Sequence, residues 1–188
     1  MMQRIRNKKS AITYPLGFRA AGVYCGIKRS GKKDLALIVS DTPARAACCF
    51  TQNRVVAWPL QYSRRVARGK EQRAIVVNSG NANCFNGKTG AECVRESIAF
   101  VAHELGIKRN ELFVVSTGII GEVLDPSLIV SSVPELCFSL SRTGGNAAAE
   151  AILTTDTVTK QVVSDFRIGA KSVRIGAMAK GSGMVRPN

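Results

Sequence analysis

Histidine is the scarcest of the common catalytic residue types in this sequence, since His103 is the only one among 188 residues. It lies between Ala102 and Glu104 in a segment with helical periodicity, where the default position of such a side chain is the helix surface. A Ser-His-Asp triad would depend entirely on this residue. The sequence therefore argues against a nucleophilic enzyme that uses a histidine base.

Long apolar runs and paired cysteine motifs are also missing. No run approaches the roughly 20 apolar residues of a membrane helix, and the basic start lacks the clean apolar stretch of a signal peptide. The six cysteines show no Cys-x-x-Cys spacing, so we expect reduced thiols, no metal site and a cytoplasmic protein without a membrane partner. Cys48 and Cys49 are expected to be small core side chains.

Acidic residues are few: 13 aspartates and glutamates stand against 27 lysines and arginines, which gives a formal net charge of +14. Such an excess attracts anions, so a basic nucleic-acid-binding module is one alternative. The basic residues are nevertheless dispersed, and no aromatic platform interleaves with them. A solvated surface or a contact with an acidic partner chain is the simpler interpretation, and we predict no nucleic acid partner.

An apolar fraction of 45% excludes a disordered chain, and the patterning mixes strands with helices. Short β-rich runs predict strands, including a hairpin that turns at Gly169. Thr89 and Glu92 suggest a capping box for a helix that Gly106 ends, and Pro134 is expected to interrupt or end a helix capped by Asp125. The predicted strands are 34–40, 73–77, 161–168 and 171–178; the predicted helices are 90–105, one from 125 and 146–153. These elements predict one α/β domain over residues 14–188, preceded by a basic N-terminal segment, residues 1–13.

Several glycine-punctuated segments carry polar side chains that could serve a site. They are GFRAAGV at 17–23, NSGNAN at 78–83, TGIIG at 117–121 after an apolar run, TTDT at 154–157, and AMAKGSGMVRPN at 177–188. In this order the set resembles the ornithine acetyltransferase (glutamate N-acetyltransferase) family, and the resemblance covers nearly the whole chain from Tyr14 onward.

Members of that family cleave themselves before a threonine, which yields an α chain and a β chain. Residues 180–188 resemble the family pattern just before the cut, so the resemblance implies that this chain is the α chain, in a heterotetramer of two α and two β chains. The implied fold is α/β with mixed sheets, part of a layered αββα sandwich that the β chain completes. The implied reaction moves an acetyl group from N-acetylornithine to glutamate through the β-chain threonine. It needs no metal or bound cofactor, with acetyl-CoA as an alternative donor in bifunctional members.

The resemblance also assigns site residues. Thr117 and Gly118 correspond to the oxyanion hole, since a donor at a rigid strand end can stabilise a tetrahedral intermediate. Lys180 and Thr154 correspond to substrate-binding residues, because an ammonium can pair with a substrate carboxylate. The stretch 78–83 receives no direct role. A threonine-nucleophile aminopeptidase or amidohydrolase of related architecture remains an alternative, because oxyanion donors serve hydrolysis equally well.

Overall fold

Two β-sheets and four α-helices make up the part of the chain that the computed structural model describes, residues 4–69 and 71–183. The strands are β1 (Arg4–Asn7), β2 (Phe18–Val23), β3 (Leu35–Ala44), β4 (Gln72–Asn81), β5 (Leu112–Ile119), β6 (Lys160–Ile168) and β7 (Lys171–Ala179). The helices are α1 (Trp58–Val66), α2 (Gly87–Leu105), α3 (Pro126–Phe138) and α4 (Gly145–Ala151).

The larger sheet has the order β2-β3-β4-β5 and contains both pairing directions. β2, β3 and β4 pair antiparallel, whereas β5 pairs parallel to β4 because α2 carries the chain back across the sheet. α2 and α3 cover one face with apolar side chains, and the buried core between helices and sheet includes Leu35, Leu37, Ile98, Val101, Leu112, Val133 and Leu136. This core holds the carboxyl ends of β4 and β5 rigidly side by side.

The opposite face of the larger sheet is lined by small side chains and receives α4. At Gly22 in β2, a Cβ would lie 2.1 Å from the Ala147 carbonyl oxygen, so only glycine permits this close packing. Met178 of β7 packs against the same cluster, which places the smaller sheet, ordered β1-β6-β7, on this side. The predicted mixed α/β class is confirmed, and a helical layer beside two sheets fits an αββα sandwich.

Most of the elements predicted from the sequence are confirmed. The predicted strands 34–40 and 73–77 correspond to the first halves of β3 and β4, and the hairpin 161–168 with 171–178 is β6 and β7. Gly106 ends α2 at φ 62°, and the Asp125 side chain accepts a hydrogen bond from the Ser127 N–H at the start of α3. β1 lies within the basic segment 1–13 and pairs antiparallel with β6.

Two helix-boundary predictions are wrong. α2 begins at Gly87 rather than residue 90, and the proposed Thr89 capping box does not form, because the Thr89 hydroxyl donates to the Asn86 carbonyl instead. α3 continues through Pro134 to Phe138, since Pro134 lies on the exposed side while its neighbours Val133 and Leu136 are buried in the core. Tertiary burial thus outweighs the local cost of the proline.

The expectation for Cys48 and Cys49 is also wrong, because both are exposed in the surface connection between β3 and α1. Cys25, Cys84 and Cys93 are buried, and all six cysteines are free. His103 lies on the surface of α2 with its side chain 84% exposed, as predicted.

In the described ranges, we find no helix with both the length and the apolarity needed to cross a membrane.

Candidate functional site

The carboxyl end of β5 carries Thr117 and Gly118, where the pairing with β4 becomes irregular. Gly118 has φ +140°, and a Cβ at this position would lie 2.3 Å from the carbonyl carbon of Gly80 in β4. Gly80 itself has φ +107° and lies against Ile27. Glycine at 118 is therefore required for β5 to approach β4 here, and glycine at 80 leaves room for the loop at Ile27. The contact between Gly118 and Gly80 fixes the backbone beside Thr117.

Buried asparagines support this irregular strand end. The Asn78 amide donates to the Asn81 carbonyl at 2.8 Å and its oxygen accepts from the Ser116 hydroxyl. The Asn81 amide oxygen accepts from the Asn83 N–H at 2.7 Å. These asparagine side chains therefore hold the strand end in place through internal hydrogen bonds.

Lys180 connects two of the other predicted site residues. Its Nζ donates to Thr117 Oγ1 at 2.9 Å and to Thr154 Oγ1 at 2.7 Å. Three residues that are far apart in the sequence thus meet at one point, beside Gly118. An ammonium has three N–H donors, so after these two contacts one is left for an acceptor beyond those found in residues 4–69 and 71–183.

The two threonine hydroxyls are polarised by this arrangement. Each accepts from the Lys180 ammonium, so each directs its own proton elsewhere, and within residues 4–69 and 71–183 neither has a protein acceptor for it. A hydroxyl that accepts from a cation is a stronger donor, because hydrogen bonds in a chain polarise one another. Thr117 and Thr154 can therefore both donate to a bound ligand.

These groups line an open cavity of about 870 Å³ between the end of β5 and the segment after β7. Its wall also includes Lys28 and Arg29, while its one acidic residue among those described is Glu122. Burial, and to a lesser degree the positive charges of Lys32 and Lys180, lower the pKa of Lys28. An excess of cations around hydroxyl donors suits an anionic ligand such as a carboxylate.

Sequence reasoning missed four residues of this region. Lys28 and Arg29 are among the basic residues that we assigned to a solvated surface or a partner contact, yet Lys28 is partly buried and donates to the Lys33 carbonyl at 2.7 Å. The buried carboxylate of Asp34 holds this loop by accepting from the Lys28 N–H at 2.8 Å. Asp156, placed only among the threonines of 154–157, has a fully buried side chain that contacts the segment after Lys180. Glycines on both sides of residues 27–30, like those around Ser182, were the available signal.

In the described ranges, no cluster of three or more histidine, cysteine, aspartate or glutamate side chains could hold a metal ion. The arrangement can bind an anion and donate hydrogen bonds to a developing negative charge. It contains no serine or cysteine next to a histidine base, because His103 is remote on the surface of α2.

The fold and cavity together define an α/β protein of two stacked sheets with a cationic, hydroxyl-rich site at a strand end. The ArgJ family profile matches residues 19–188, and the chain belongs to this family. The family suspected from the sequence is thereby confirmed.

Named relatives and solved structures agree. The chain is 45% identical to arginine biosynthesis bifunctional protein ArgJ 1 of Nostoc sp. and 47% identical to the ArgJ protein of Gloeobacter violaceus, over 94% of this chain in each case. It covers 43% and 44% of those proteins, so it spans less than half the length of the curated relatives it matches.

The structure of ornithine acetyltransferase from Mycobacterium tuberculosis, solved with ornithine, matches with a TM-score of 0.92 and 36% identity. The ArgJ structure from Bacillus halodurans matches with a TM-score of 0.90 and 35% identity. Both comparisons cover 100% of this chain and 99% of the other.

Proposed function

We propose that this chain is the α subunit of a glutamate N-acetyltransferase that moves an acetyl group from N-acetylornithine to glutamate. The observation that carries the proposal is the contact of the Lys180 ammonium with the hydroxyls of Thr117 and Thr154 in a cationic cavity. Both substrates carry a carboxylate, which such a site can bind. The names of the relatives and the ornithine complex of the M. tuberculosis enzyme support the same reaction.

In the proposed reaction, the nucleophile is a threonine at the start of a β chain. Its hydroxyl oxygen attacks the acetyl carbonyl carbon of N-acetylornithine, and its own α-amino group takes the hydroxyl proton. The C–N bond then breaks, ornithine leaves as an amine that receives this proton, and an acetyl-threonine ester remains. The glutamate amine attacks the ester, and the threonine oxygen leaves and regains a proton. No metal or bound cofactor is needed, and acetyl-CoA is an alternative donor.

Thr117 and Gly118 serve as the oxyanion hole in this proposal. The Thr117 hydroxyl, polarised by Lys180, and the Gly118 N–H would donate to the carbonyl oxygen as it gains negative charge. The close Gly118–Gly80 contact keeps this backbone in place before substrate arrives. Such preorganisation is what makes oxyanion donors effective.

Lys180 and Thr154 bind substrate in this proposal. The third N–H of Lys180 pairs with the α-carboxylate of N-acetylornithine or glutamate, and the Thr154 hydroxyl adds a second donor. Lys28 and Arg29 raise the positive potential of the cavity and favour the same anionic substrates.

A β chain of the same precursor completes the site, in a heterotetramer of two α and two β chains. Apolar side chains beside the cavity support a covering partner, since Ile119, Ile120 and Val123 are 55%, 60% and 67% exposed. Contiguous exposed apolar surface is typical of protein interfaces.

The test is an isotope-exchange assay on the complete enzyme, with unlabelled N-acetylornithine and labelled glutamate. We expect labelled N-acetylglutamate and free ornithine, and we expect Lys180→Met to raise the KM for both carboxylate substrates. Release of acetate without labelled N-acetylglutamate would indicate an amidohydrolase and would contradict the proposal.

A further inference from the structure

Asp156 lies beneath the segment that carries Lys180, and its side chain contacts the residue that directly follows this lysine. Its side chain is fully buried although the loop around it is at the surface, between α4 and β6. Asp156 Oδ1 accepts from the Gly181 N–H at 2.8 Å and also from the Lys160 ammonium. A buried carboxylate is costly unless it is paired, so these contacts must be maintained for the loop to keep this conformation.

Lys160 holds the same glycine from the other side. Its Nζ donates to the Gly181 carbonyl at 2.7 Å while it pairs with Asp156. Both backbone polar groups of Gly181 are therefore bound by one ion pair. The hairpin register explains the geometry, because Lys160 of β6 pairs with Ala179 of β7, which directly precedes Lys180.

The segment needs such a restraint because glycine is flexible. Gly181 has φ +137°, a conformation that other residues rarely adopt, and Gly183 follows two residues later. A further contact joins the Thr155 and Ser182 hydroxyls at 3.2 Å. Without the Asp156 carboxylate, the Gly181 N–H would lose its charge-assisted acceptor, and the Lys160 ammonium, which donates to the Gly181 carbonyl, would lose its ion-pair partner.

We infer that Asp156 is a positioning residue that holds the Lys180 ammonium against Thr117 and Thr154 by fixing the backbone of Gly181. The inference rests on the proposed function of Lys180 as the carboxylate-binding group. The hydrogen bond from Lys160, together with the N–H groups of Gly181 and Thr154, lowers the pKa of Asp156, so the carboxylate stays ionised at neutral pH. Asp156 itself does not line the cavity beside Thr117 and does not touch substrate.

The decisive experiment is a double-mutant cycle in the complete enzyme. Asp156→Ala is expected to raise the KM for N-acetylornithine on the order of ten-fold, as loss of a charge-assisted hydrogen bond does, with a smaller change in kcat. Asp156→Asn keeps the shape and one acceptor and should lie between wild type and Asp156→Ala. In a Lys180→Met background, either change should add less than about two-fold to the KM, because the position of an absent ammonium cannot matter. Effects that multiply in full in the double variant would overturn the inference.

Asp165→Asn is the matched control. This carboxylate on β6 also accepts two hydrogen bonds, but they come from Arg6 at 2.7 Å and Tyr14 at 2.7 Å and do not involve the segment that carries Lys180. The substitution should leave the KM unchanged. Hydrogen exchange of the Gly181 amide gives a readout without activity: it should accelerate in Asp156→Ala and not in Asp165→Asn. An unchanged Gly181 exchange rate would overturn the assignment. A wild-type enzyme without acetyl exchange would contradict the proposed function alone, and the assignment would then be decided by the Gly181 exchange.

Discussion

At the scale of single residues, the hydroxyl of Thr117 shows how a contact determines chemistry. Because Thr117 Oγ1 accepts from Lys180, its proton is directed to another acceptor, and the open cavity is where a ligand can provide one. A threonine at the end of a strand has no such preference by itself. The lysine supplied by the segment after β7 creates it.

Thr117→Ala should slow acetyl transfer by a factor on the order of ten to a thousand, because one donor to the oxyanion is lost. Steady-state kinetics of the complete enzyme measure the change, which we expect mainly in kcat. Thr117→Ser keeps the hydroxyl and serves as the control, with most activity retained. Unchanged kinetics in Thr117→Ala would refute the proposed role.

Gly118→Ala should destabilise the protein by about 3 kcal/mol, because the new methyl group overlaps the Gly80 backbone and the positive φ adds strain. Urea unfolding of the complete enzyme checks this. Gly121→Ala is the matched control, since Gly121 has φ +88° but open space around it, so only strain of about 1 kcal/mol applies. Equal losses in the two variants would show that the contact with Gly80 is unimportant.

At the scale of elements, a proline inside α3 and the edge position of β5 are locally unfavourable, yet both elements are intact. α3 contains Pro134 yet remains one helix, because Val133 and Leu136 anchor it in the core. β5 lies at the edge of its sheet, and the Ser63 hydroxyl of α1 donates to the Val114 carbonyl at 2.7 Å and accepts from the Val114 N–H at 3.1 Å. Packing between elements thus compensates for local defects in each.

Pro134→Ala should stabilise the protein by about 1 kcal/mol, because an N–H returns to the interior of α3, offset in part by a more flexible unfolded chain. The midpoint of urea unfolding should rise. Glu135→Ala, at the adjacent exposed position, should change stability by less than about 0.5 kcal/mol. A fall in stability for Pro134→Ala would mean that the proline makes a favourable contact in the assembled enzyme.

At the scale of the whole molecule, charge and exposed apolar surface favour association with other chains. The sequence carries a net charge of +14, and apolar side chains next to the cavity are exposed. A β chain that covers the apolar side chains would remove them from water, and an acidic β chain would in addition balance the positive charge.

Expressed without a β chain, this chain should aggregate and show no acetyl exchange, because the proposed nucleophile is absent and apolar surface is uncovered. Size-exclusion chromatography and the exchange assay test this against the co-produced chains. Acetyl transfer by the isolated chain would overturn the two-chain proposal.

This chain should not bind nucleic acid strongly within the complete enzyme, since its basic residues are dispersed along the sequence. A filter-binding titration at increasing salt should show only weak retention. Tight retention that falls steeply with salt, the mark of released counterions, would instead favour the nucleic-acid-binding alternative.

The sequence by itself determined the features that depend on neighbouring residues. The strands 34–40 and 73–77, the β6–β7 hairpin, the stop of α2 at Gly106 and the cap at Asp125 follow from local periodicity and backbone preference. The segments 17–23, 78–83, 117–121, 154–157 and 177–188, in this order, sufficed to point to the family. Local signals failed where burial decided, as at Pro134, and where an exposed connection followed an apolar pattern, as at Cys48.

Only the tertiary structure decided how these residues work together. Thr117, Thr154 and Lys180 lie on separate segments, and their distances depend on the packing of β7 near the end of β5. Lys28 and Asp156 were missed because the contacts that place them at the site reach distant segments: Lys28 Nζ donates to the Ala151 carbonyl, and Asp156 accepts from the Gly181 N–H. The neighbouring glycines alone did not specify these contacts. Hydrogen bonds and charge interactions act through space over a few ångströms, so chain neighbours cannot specify them.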